Sequence, residues 1–300
     1  MSSYKLLSYD DNDDIKAGIK VDSSVFNLAS EIAFHDPDSN IDGSTLDTAI
    51  RRWKNLEPLL IKIANSPGTL AYPIESLKLA APLYNPGTIY CAGANYYDHA
   101  EEMGNKIDKD SIEPLFFLKS CGSIVGPDVN VQLIDEYSKK YDWEIELAVI
   151  IGREGQNRTV ENALEIVAGY TIFNDVSARD VGRRTDWKFG MDWFRHKSFG
   201  TSAPMGPWIV PATDIVDPQN LNLKTTIGDQ IMQEGNTSTM VFSIAELIVS
   251  LTKQVPLKPG DIIATGTCAG VGFFRGVFLK PGDTMKLEIE GIGELNNPVV

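Results

Sequence analysis

Cysteine and histidine are scarce in this chain. Its 300 residues include three cysteines and three histidines. The cysteines form no CxxC pair, so we expect free thiols in a reducing cytoplasm rather than a disulfide framework. With so few imidazoles, we do not expect a zinc centre built mainly from histidine.

Long apolar runs and excess positive charge are also missing. No run of about 18 apolar residues occurs, and the first residues lack an apolar leader segment, so we expect neither a membrane span nor a signal peptide. The formal net charge of −14 argues against nucleic acid and anionic membranes as partners. An anionic small molecule stays compatible with this charge, because a metal ion and a few basic side chains can reverse the local field.

The composition is that of a globular protein. Hydrophobic residues make up 43% of the chain and charged residues 23%, which suits a sizeable core and excludes a disordered chain. Residues 1–80 combine strand patterns with a helix expected at 46–64, and we assign them to a small N-terminal domain. Residues 83–300 form the main domain.

Short strands and turns dominate the main domain. The clearest amphipathic helix is expected at 243–252, and a helix start at 161–167. The pentapeptide Leu-Lys-Pro-Gly-Asp occurs at 257–261 and 279–283, each time as a Pro-Gly turn that leads into a strand. The predicted fold class is therefore predominantly β, with mixed α+β content.

A strand predicted at 143–151 carries two acidic residues on one face. Glu144 and Glu146 alternate with apolar residues, and their Cα atoms would be roughly 7 Å apart. In a central strand the two carboxylates would repel each other and lose hydration, which a divalent cation would offset. A solvated strand with alternating acids is the alternative.

Asp175 is the third candidate ligand, because it ends the strand pattern that precedes a Ser-Ala-Arg-Asp loop. Three carboxylates suit Mg²⁺ or Mn²⁺, with Ca²⁺ as a further candidate, better than zinc.

Six segments, in this order, resemble the fumarylacetoacetate hydrolase family. The resemblance extends from residue 83 to residue 300, and residues 1–80 match the family's small N-terminal domain more loosely. The segments are GANYYDHAEEM (93–103), FFLKS (116–120), WEIELAVIIG (143–152), GYTIFNDVSARD (169–180), KSFGTSAPMGP (197–207) and GDIIATGTCAGVG (260–272).

The resemblance implies a mixed β-sandwich roll with a small N-terminal α/β domain, usually as a homodimer. It implies an Mg²⁺- or Mn²⁺-dependent enzyme that acts on small 2-oxo or 2,4-dioxo acids. The family's metal ligands match Glu144, Glu146 and Asp175, and its active-site lysine matches Lys197. A solvated surface lysine is the alternative for Lys197.

His99 and Glu102 match the acid–base dyad of the family. At a spacing of three they share one face if residues 98–103 are helical. Glu102 would then orient the imidazole so that His99 can take a proton near neutral pH. Without the family match, an idle surface histidine beside acids would be the preferred interpretation.

Three further residues are candidates for substrate contact. Thr267 matches a family position that contacts the substrate carboxylate. Three carboxylates and one divalent ion leave a net negative charge, which Lys197 would neutralise, so Arg179 would make the local charge positive. The alternative for Arg179 is an ion pair with Asp180. Tyr96 lies either in the pocket wall or in the core.

Gly182 departs from the family pattern, because hydrolytic members often carry Gln there. The absence of this glutamine removes a donor that could stabilise an oxyanion. A second departure is Cys268 in place of a proline, which we expect to be minor. The charged and aromatic insertion at 183–191 is expected to supply substrate contacts that the sequence does not identify.

Three functional hypotheses follow. The first is hydrolysis of the carbon–carbon bond of an acylpyruvate or related 2,4-dioxo acid by water that His99 and Glu102 activate. The second is decarboxylation, or tautomerisation and isomerisation, of a 2-oxo acid of the oxaloacetate or hydroxymuconate type at the same site. The third is a catalytically silent carboxylate-binding scaffold that retains a structural cation.

Overall fold

Strands dominate the structure, a computed structural model that describes residues 3–188 and 190–300. The strands are β1 (Lys5–Asp11), β2 (Asp14–Val21), β3 (Ser24–Asn27), β4 (Ala71–Pro73), β5 (Lys78–Ala80), β6 (Ile89–Gly93), β7 (Leu115–Lys119), β8 (Ile124–Val125), β9 (Tyr141–Asp142), β10 (Ile145–Ile151), β11 (Val167–Asn174), β12 (Ser177–Ala178), β13 (Ala203–Pro211), β14 (Asn222–Ile227), β15 (Gln230–Asn236), β16 (Ile262–Ala264), β17 (Thr284–Ile289) and β18 (Gly293–Pro298). The helices are α1 (Leu28–His35), α2 (Leu46–Ala49), α3 (Trp53–Asn65), α4 (Tyr97–Glu102), α5 (Trp193–Lys197), α6 (Ile244–Gln254) and α7 (Gly272–Arg275). Short 3-10 turns occur at Ile50–Arg52, Ile74–Ser76, Lys109–Ser111, Cys121–Ser123, Ala163–Ile166, Ala212–Asp214 and Thr237–Thr239.

One large sheet organises the molecule. Its strands follow the order β4-β3-β2-β1-β13-β11-β10-β16-β6-β7, with β5 paired to β1 and β8 paired to β13. A smaller sheet has the order β15-β14-β17-β18, and β9 and β12 form a two-stranded ladder. The N-terminal strands join the large sheet where β1 pairs with β13.

The strand β10 lies at the centre of this arrangement, and all seven of its residues are buried. Its odd-numbered residues belong to a core cluster that also contains side chains of the small sheet and of α6. Ala148 and Ile150 belong to a second cluster, shared with α1 and α3. The large sheet therefore separates two hydrophobic layers, which confirms the predicted predominantly β, mixed α+β fold.

Two helix predictions are confirmed. The helix expected at 46–64 forms as α2, a 3-10 turn and α3, and it ends at Asn65 before the predicted Ser-Pro-Gly break. The helix expected at 243–252 forms as α6, which begins with a capping box between Ser243 and Glu246. Such a box satisfies backbone N–H groups that have no partner inside the helix.

The helix start predicted at 161–167 is wrong. Residues Ala163–Ile166 form only a 3-10 turn, and β11 begins directly afterwards at Val167. Ala163 and Ile166 are buried in the core, so the apolar residues anchor a turn rather than one face of a helix. Both Leu-Lys-Pro-Gly-Asp turns precede strands as predicted, β16 and β17.

The N-terminal residues share both the large sheet and the second core cluster with the rest of the chain. The domain boundary between residues 80 and 83 stays a prediction. Within residues 3–188 and 190–300, no helix is both long enough and apolar enough to cross a bilayer.

Candidate active site

Three carboxylates meet where β10 begins and β11 ends. Glu144 precedes β10, Glu146 lies within it, and Asp175 follows β11. One oxygen of each residue lies within 4.8 Å of those of the other two, and all three side chains are buried. The structure thus brings together the three residues that the sequence nominates as metal ligands.

The backbone between these strands fixes their separation. Ile145 pairs with Asn174 in the antiparallel ladder. The strand predicted at 143–151 begins only at Ile145, so Trp143 is not part of it. The Glu144 N–H donates to Oδ1 of Asn174 at 3.0 Å rather than to a ladder carbonyl. The N–H of Asp175 donates to the Glu144 carbonyl at 2.9 Å. Glu144 and Asp175 are held side by side by this exchange.

Lys197 lies between two of the carboxylates. Its Nζ is 2.7 Å from Oε2 of Glu144 and 2.6 Å from Oδ2 of Asp175. The solvated alternative for Lys197 is wrong, because the side chain is buried among carboxylates.

A second buried lysine, Lys119, was not singled out from the sequence. Its Nζ donates to Oδ1 of Asp175 at 2.7 Å, to the Val176 carbonyl at 3.1 Å and to the Lys197 carbonyl. The only clue was a lysine at the end of the apolar Phe-Phe-Leu strand segment. Lys119 thus supports Asp175 from behind the site.

Arg179 contacts Glu144 of the carboxylate cluster. Its Nε lies 2.8 Å from Oδ2 of Asp142, and its guanidinium donates to Oε1 of Glu144 at 2.5 Å. The alternative pairing with Asp180 is wrong, since Asp180 instead accepts from Ser138 Oγ and from the Lys139 N–H.

Asp142 is a further residue that the sequence did not reveal. Besides Arg179, it accepts the backbone N–H groups of Gly272 at 2.7 Å and Phe273 at 3.0 Å. It therefore attaches the start of α7 to the site. The negative charge of Asp142 offsets the positive charge of Lys119, so the net charge of the site that was expected from the sequence is unchanged.

The surroundings shift the pKa values of Glu144 and Glu146 in opposite directions. Burial by itself would raise the pKa of Glu144, but Lys197 and Arg179 together hold that pKa below its ordinary value. Burial raises the pKa of Glu146 well above its ordinary value, and the nearby charges of Asp175 and Glu144 raise it further. These two carboxyl groups thus differ in proton affinity although they are two residues apart.

The donor set fits a divalent cation. Within the described parts of the chain, Glu146 accepts one hydrogen bond, from the Gly266 N–H at 2.8 Å, and forms no ion pair. A carboxylate buried in this way needs a cation or a proton. Three carboxylate oxygens are the ligand type that Mg²⁺, Mn²⁺ and Ca²⁺ accept.

The His99–Glu102 pair forms on α4, close to the helix predicted at 98–103. Nδ1 of His99 lies 2.6 Å from Oε1 of Glu102. Because a carboxylate accepts, Nδ1 is the donor and Nε2 is left as the basic nitrogen. Oε2 of Glu102 accepts the Gly270 N–H at 3.0 Å, so the glycine-rich loop holds the carboxylate in place.

A cavity of about 380 Å³ joins these groups. Of the predicted site residues, its wall contains His99, Glu144, Glu146, Arg179, Lys197 and Thr267. Aromatic and thioether side chains complete the wall, among them Phe117, Met191, Trp193, Phe273 and Phe274. Tyr96 is completely buried in the hydrophobic core, which is the second of its two predicted positions.

His196 also lines this cavity. Its Nδ1 lies 2.9 Å from the carbonyl oxygen of Ala178. A carbonyl can only accept, so Nδ1 donates and Nε2 has a free lone pair. Burial, together with Lys197 and Arg179, lowers the pKa of His196 to about 4, so the imidazole is neutral near pH 7.

Gly182 packs directly against this imidazole. A Cβ at position 182 would lie 2.9 Å from Cβ, Cγ and Nδ1 of His196. The histidine therefore fills the space that a longer side chain at 182 would need.

The insertion at 183–191 contributes to the cavity wall through Met191. Arg183 and Met191 face each other in an isolated antiparallel bridge. Phe189, which belongs to the same predicted insertion, lies outside the described residues.

Comparison with known proteins identifies the family. The family model described as "Fumarylacetoacetate (FAA) hydrolase C-terminal" matches residues 88–300. The chain belongs to the fumarylacetoacetate hydrolase family.

Similar family members carry more than one activity in their names. The chain is 43% identical over 228 residues to "Oxaloacetate tautomerase fahd2, mitochondrial" of Xenopus laevis, and the match covers 75% of this chain and 69% of the relative. It is 40% identical over 235 residues to "Oxaloacetate tautomerase YisK" of Bacillus subtilis, and the match covers 77% of this chain and 76% of the relative.

A similar solved structure is maleylpyruvate hydrolase from Sphingobium sp. SYK-6 in complex with manganese (II) ion and pyruvate. It has a TM-score of 0.76 and 26% identity, and the match covers 99% of this chain and 98% of that one. Proteins that are similar to this chain are thus named both as tautomerases and as a hydrolase.

Proposed function

We propose that this protein is a divalent-metal-dependent tautomerase that interconverts the keto and enol forms of a short 2-oxo dicarboxylic acid of the oxaloacetate type. The observation that carries the proposal is the packing of Gly182 against His196, beside an intact His99–Glu102 pair. The site has a group to move a proton and lacks, at position 182, a donor for hydrolysis. The names of the two tautomerase relatives support the same choice.

The proton transfer is assigned to His99. Its Nδ1–H is held by Glu102, which leaves Nε2 to take the proton from C3 of the keto form. The C2 carbonyl then becomes an enolate, and the same imidazolium returns the proton to the C2 oxygen to give the enol. The reverse sequence restores the keto form, so no proton or water is consumed.

Cationic and hydroxyl groups around His99 would orient the acid. Lys197 and Arg179 contribute positive charge beside the cavity, and Thr267 contributes a hydroxyl in its wall. When bound by Glu144, Glu146 and Asp175, a divalent cation supplies the positive charge that polarises a 2-oxo group.

Hydrolysis would make a further demand on the site. Attack of water on a carbonyl creates an oxyanion, and such sites place preorganised N–H or O–H donors around it. Gly182 has no side chain to donate. His196 donates Nδ1–H to Ala178 and turns only the lone pair of Nε2 to other partners. This part of the wall therefore suits enolisation better.

Hydrolysis of an acylpyruvate, the first hypothesis from the sequence, becomes the second candidate. It is supported by the similarity to the maleylpyruvate hydrolase that holds manganese and pyruvate. Both reactions would use the same carboxylates and the same dyad. Decarboxylation of oxaloacetate is tested by the same experiment.

The test is a product assay with the purified protein and Mg²⁺ or Mn²⁺. Oxaloacetate is added as the enol, and its decay is followed by ultraviolet absorbance while pyruvate and CO₂ are measured by mass spectrometry. Acetylpyruvate and fumarylpyruvate are assayed in parallel. We expect EDTA-sensitive loss of enol without change of mass, and a decrease of about 10²–10⁴-fold in the His99→Asn variant.

His35→Asn is the matched control, because His35 lies on α1 and does not line the cavity. Pyruvate plus an acid from an acylpyruvate would establish the hydrolase instead. Pyruvate with CO₂ would establish the decarboxylase. No metal-dependent turnover of any of these acids would favour the silent scaffold. The cytoplasmic location and the homodimer stay predictions.

A further inference from the structure

Gln233, in β15, has a completely buried side chain that links three parts of the site. Its Nε2 donates to Oγ1 of Thr267 at 2.8 Å and to the Cys268 carbonyl at 2.9 Å. Its Oε1 accepts from the Ile145 N–H at 3.2 Å and from Oγ1 of Thr225 at 3.0 Å. A side-chain amide has two N–H donors and one oxygen with two lone pairs, so its hydrogen-bonding capacity is fully used.

The orientation of this amide is fixed by two backbone groups. The Ile145 N–H can only donate, so it must face the amide oxygen. The Cys268 carbonyl can only accept, so it must face the amide nitrogen. Turning the amide over would place a donor against a donor and an acceptor against an acceptor, both in the buried interior, which is costly.

The fixed amide determines what the Thr267 hydroxyl can do. Because Nε2 of Gln233 donates to Oγ1, the Thr267 proton is not used in that hydrogen bond. Within residues 3–188 and 190–300, the structure gives this hydroxyl no other hydrogen bond. Thr267 lines the cavity, so its O–H is available as a donor to a ligand there.

We propose that Gln233 is a positioning residue that makes Thr267 an obligate donor towards the cavity, so that this part of the wall selects a ligand group that accepts. The inference rests on the proposed function, in which the ligand is a 2-oxo dicarboxylic acid whose carboxylate accepts this hydrogen bond. Gln233 touches no ligand itself and acts through Thr267.

The same amide connects Thr267 to the metal-ligand strand. Ile145, which donates to Gln233, lies between Glu144 and Glu146. A ligand that bridges the carboxylate cluster and Thr267 therefore meets two groups whose separation Gln233 holds constant. Preorganisation of this kind lowers the cost of ordering the site on binding.

A double-mutant cycle on ligand binding tests the inference. The probe is oxalate, an inert dicarboxylate, and its dissociation constant is measured by calorimetry in the presence of Mn²⁺. Thr267→Val removes the hydroxyl, and Gln233→Met removes the amide at nearly constant volume. Each is expected to weaken oxalate binding about tenfold, as for loss of a hydrogen bond to a charged group.

The decisive comparison is the double variant. If Gln233 acts through the Thr267 hydroxyl, Gln233→Met adds no further loss in the Thr267→Val background. It does weaken binding in the Thr267→Ser background, because Ser keeps the hydroxyl. Losses that add fully in the Thr267→Val background would overturn the inference.

Thr225→Val is the control for stability. It removes one partner of Gln233 Oε1 but leaves both Nε2 hydrogen bonds in place. We expect a lower melting temperature with an unchanged dissociation constant for oxalate. A change in affinity as large as that of Gln233→Met would show that loss of packing, not the donor direction, weakens binding.

The two proposals can fail separately. Wild-type protein that tautomerises oxaloacetate but gives additive losses in the cycle overturns the role of Gln233 and leaves the proposed function intact. Wild-type protein that binds Mn²⁺ but no oxalate overturns the role of Gln233 in ligand binding, while the proposed function is decided by the product assay with oxaloacetate.

Discussion

Gly182 packs so closely against His196 that no side chain fits at position 182: a Cβ there would lie 2.9 Å from three atoms of the histidine side chain. A contact below 3 Å forces one of the two groups to move. His196 cannot move freely, because its Nδ1–H is donated to Ala178.

We therefore expect Gly182→Ala to lower the free energy of unfolding by about 1–3 kcal/mol, the usual cost of overpacking. Urea denaturation measures it. The loss should shrink when His196→Ala is added, because the contacts with Cγ and Nδ1 are removed and only the contact with Cβ is left. Gly200→Ala is the control, since nothing lies within 4 Å of a Cβ there. Equal losses at positions 182 and 200 would contradict the clash.

The lowered pKa of His196 predicts a pH-dependent stability. The pKa is 6.5 ordinarily and about 4 in the folded protein, because burial and then the charges of Lys197 and Arg179 disfavour the imidazolium. Between these values the unfolded chain binds more protons. The contribution of His196 to the free energy of unfolding is therefore fully present above pH 6.5. It is lost as the pH falls towards 4, by up to about 1.4 kcal/mol per pH unit.

The His196→Gln variant isolates that contribution. The difference in unfolding free energy between wild type and variant should change across pH 4–6.5 and stay constant above it. Urea denaturation at a series of pH values measures the difference. A constant difference over the whole range would mean that His196 titrates normally.

Lys119 is expected to be essential for stability. Its ammonium and Asp175 form an ion pair in which both side chains are fully buried. Lys119→Met leaves Asp175 without this partner, and breaking a buried pair costs about 3–5 kcal/mol. The control is Lys224→Met, whose ion pair with Glu288 is partly exposed and should contribute less than about 1 kcal/mol. Similar losses in thermal or urea unfolding for the two variants would argue against the assigned role.

Glu146→Gln should change stability in opposite directions with and without metal. The Gln oxygen can still accept the Gly266 N–H, while the buried carboxylate without an ion pair is removed. We expect the metal-free variant to melt no lower than wild type. Its stabilisation by added Mn²⁺ or Mg²⁺ should be lost, because a ligand stabilises the folded state only when it binds that state, by an amount that grows with the logarithm of the ligand concentration divided by its dissociation constant. Thermal melts with EDTA and with each metal would detect a retained metal response, which would exclude Glu146 as a ligand.

The strand and carboxylate pattern was predictable from the sequence because it is local. Alternation along residues 143–151 placed Glu144 and Glu146 on one face, and strand ends placed Asp175 nearby. A spacing of three did the same for His99 and Glu102. These relationships depend on the period of one strand or helix.

The groups that were missed come together only through the fold. Lys119 reaches Asp175 across 56 positions of sequence, and Gln233 reaches Ile145 across 88. Gly182 was noticed as a departure, but its cause, the imidazole of His196, required the packing. Likewise, the partner of Arg179 is Asp142 rather than the adjacent Asp180, because β12 pairs with β9.

The glycine-rich loop at 266–270 contacts both the carboxylate cluster and the His99–Glu102 pair through its backbone. Gly266 donates to Glu146 and Gly270 donates to Glu102. An insertion or deletion in this loop would displace the candidate metal ligand Glu146 and the proposed proton-transfer pair together. New specificities in this protein are therefore expected to arise in the wall formed by α5 and α7, where side chains can change while the loop keeps its length.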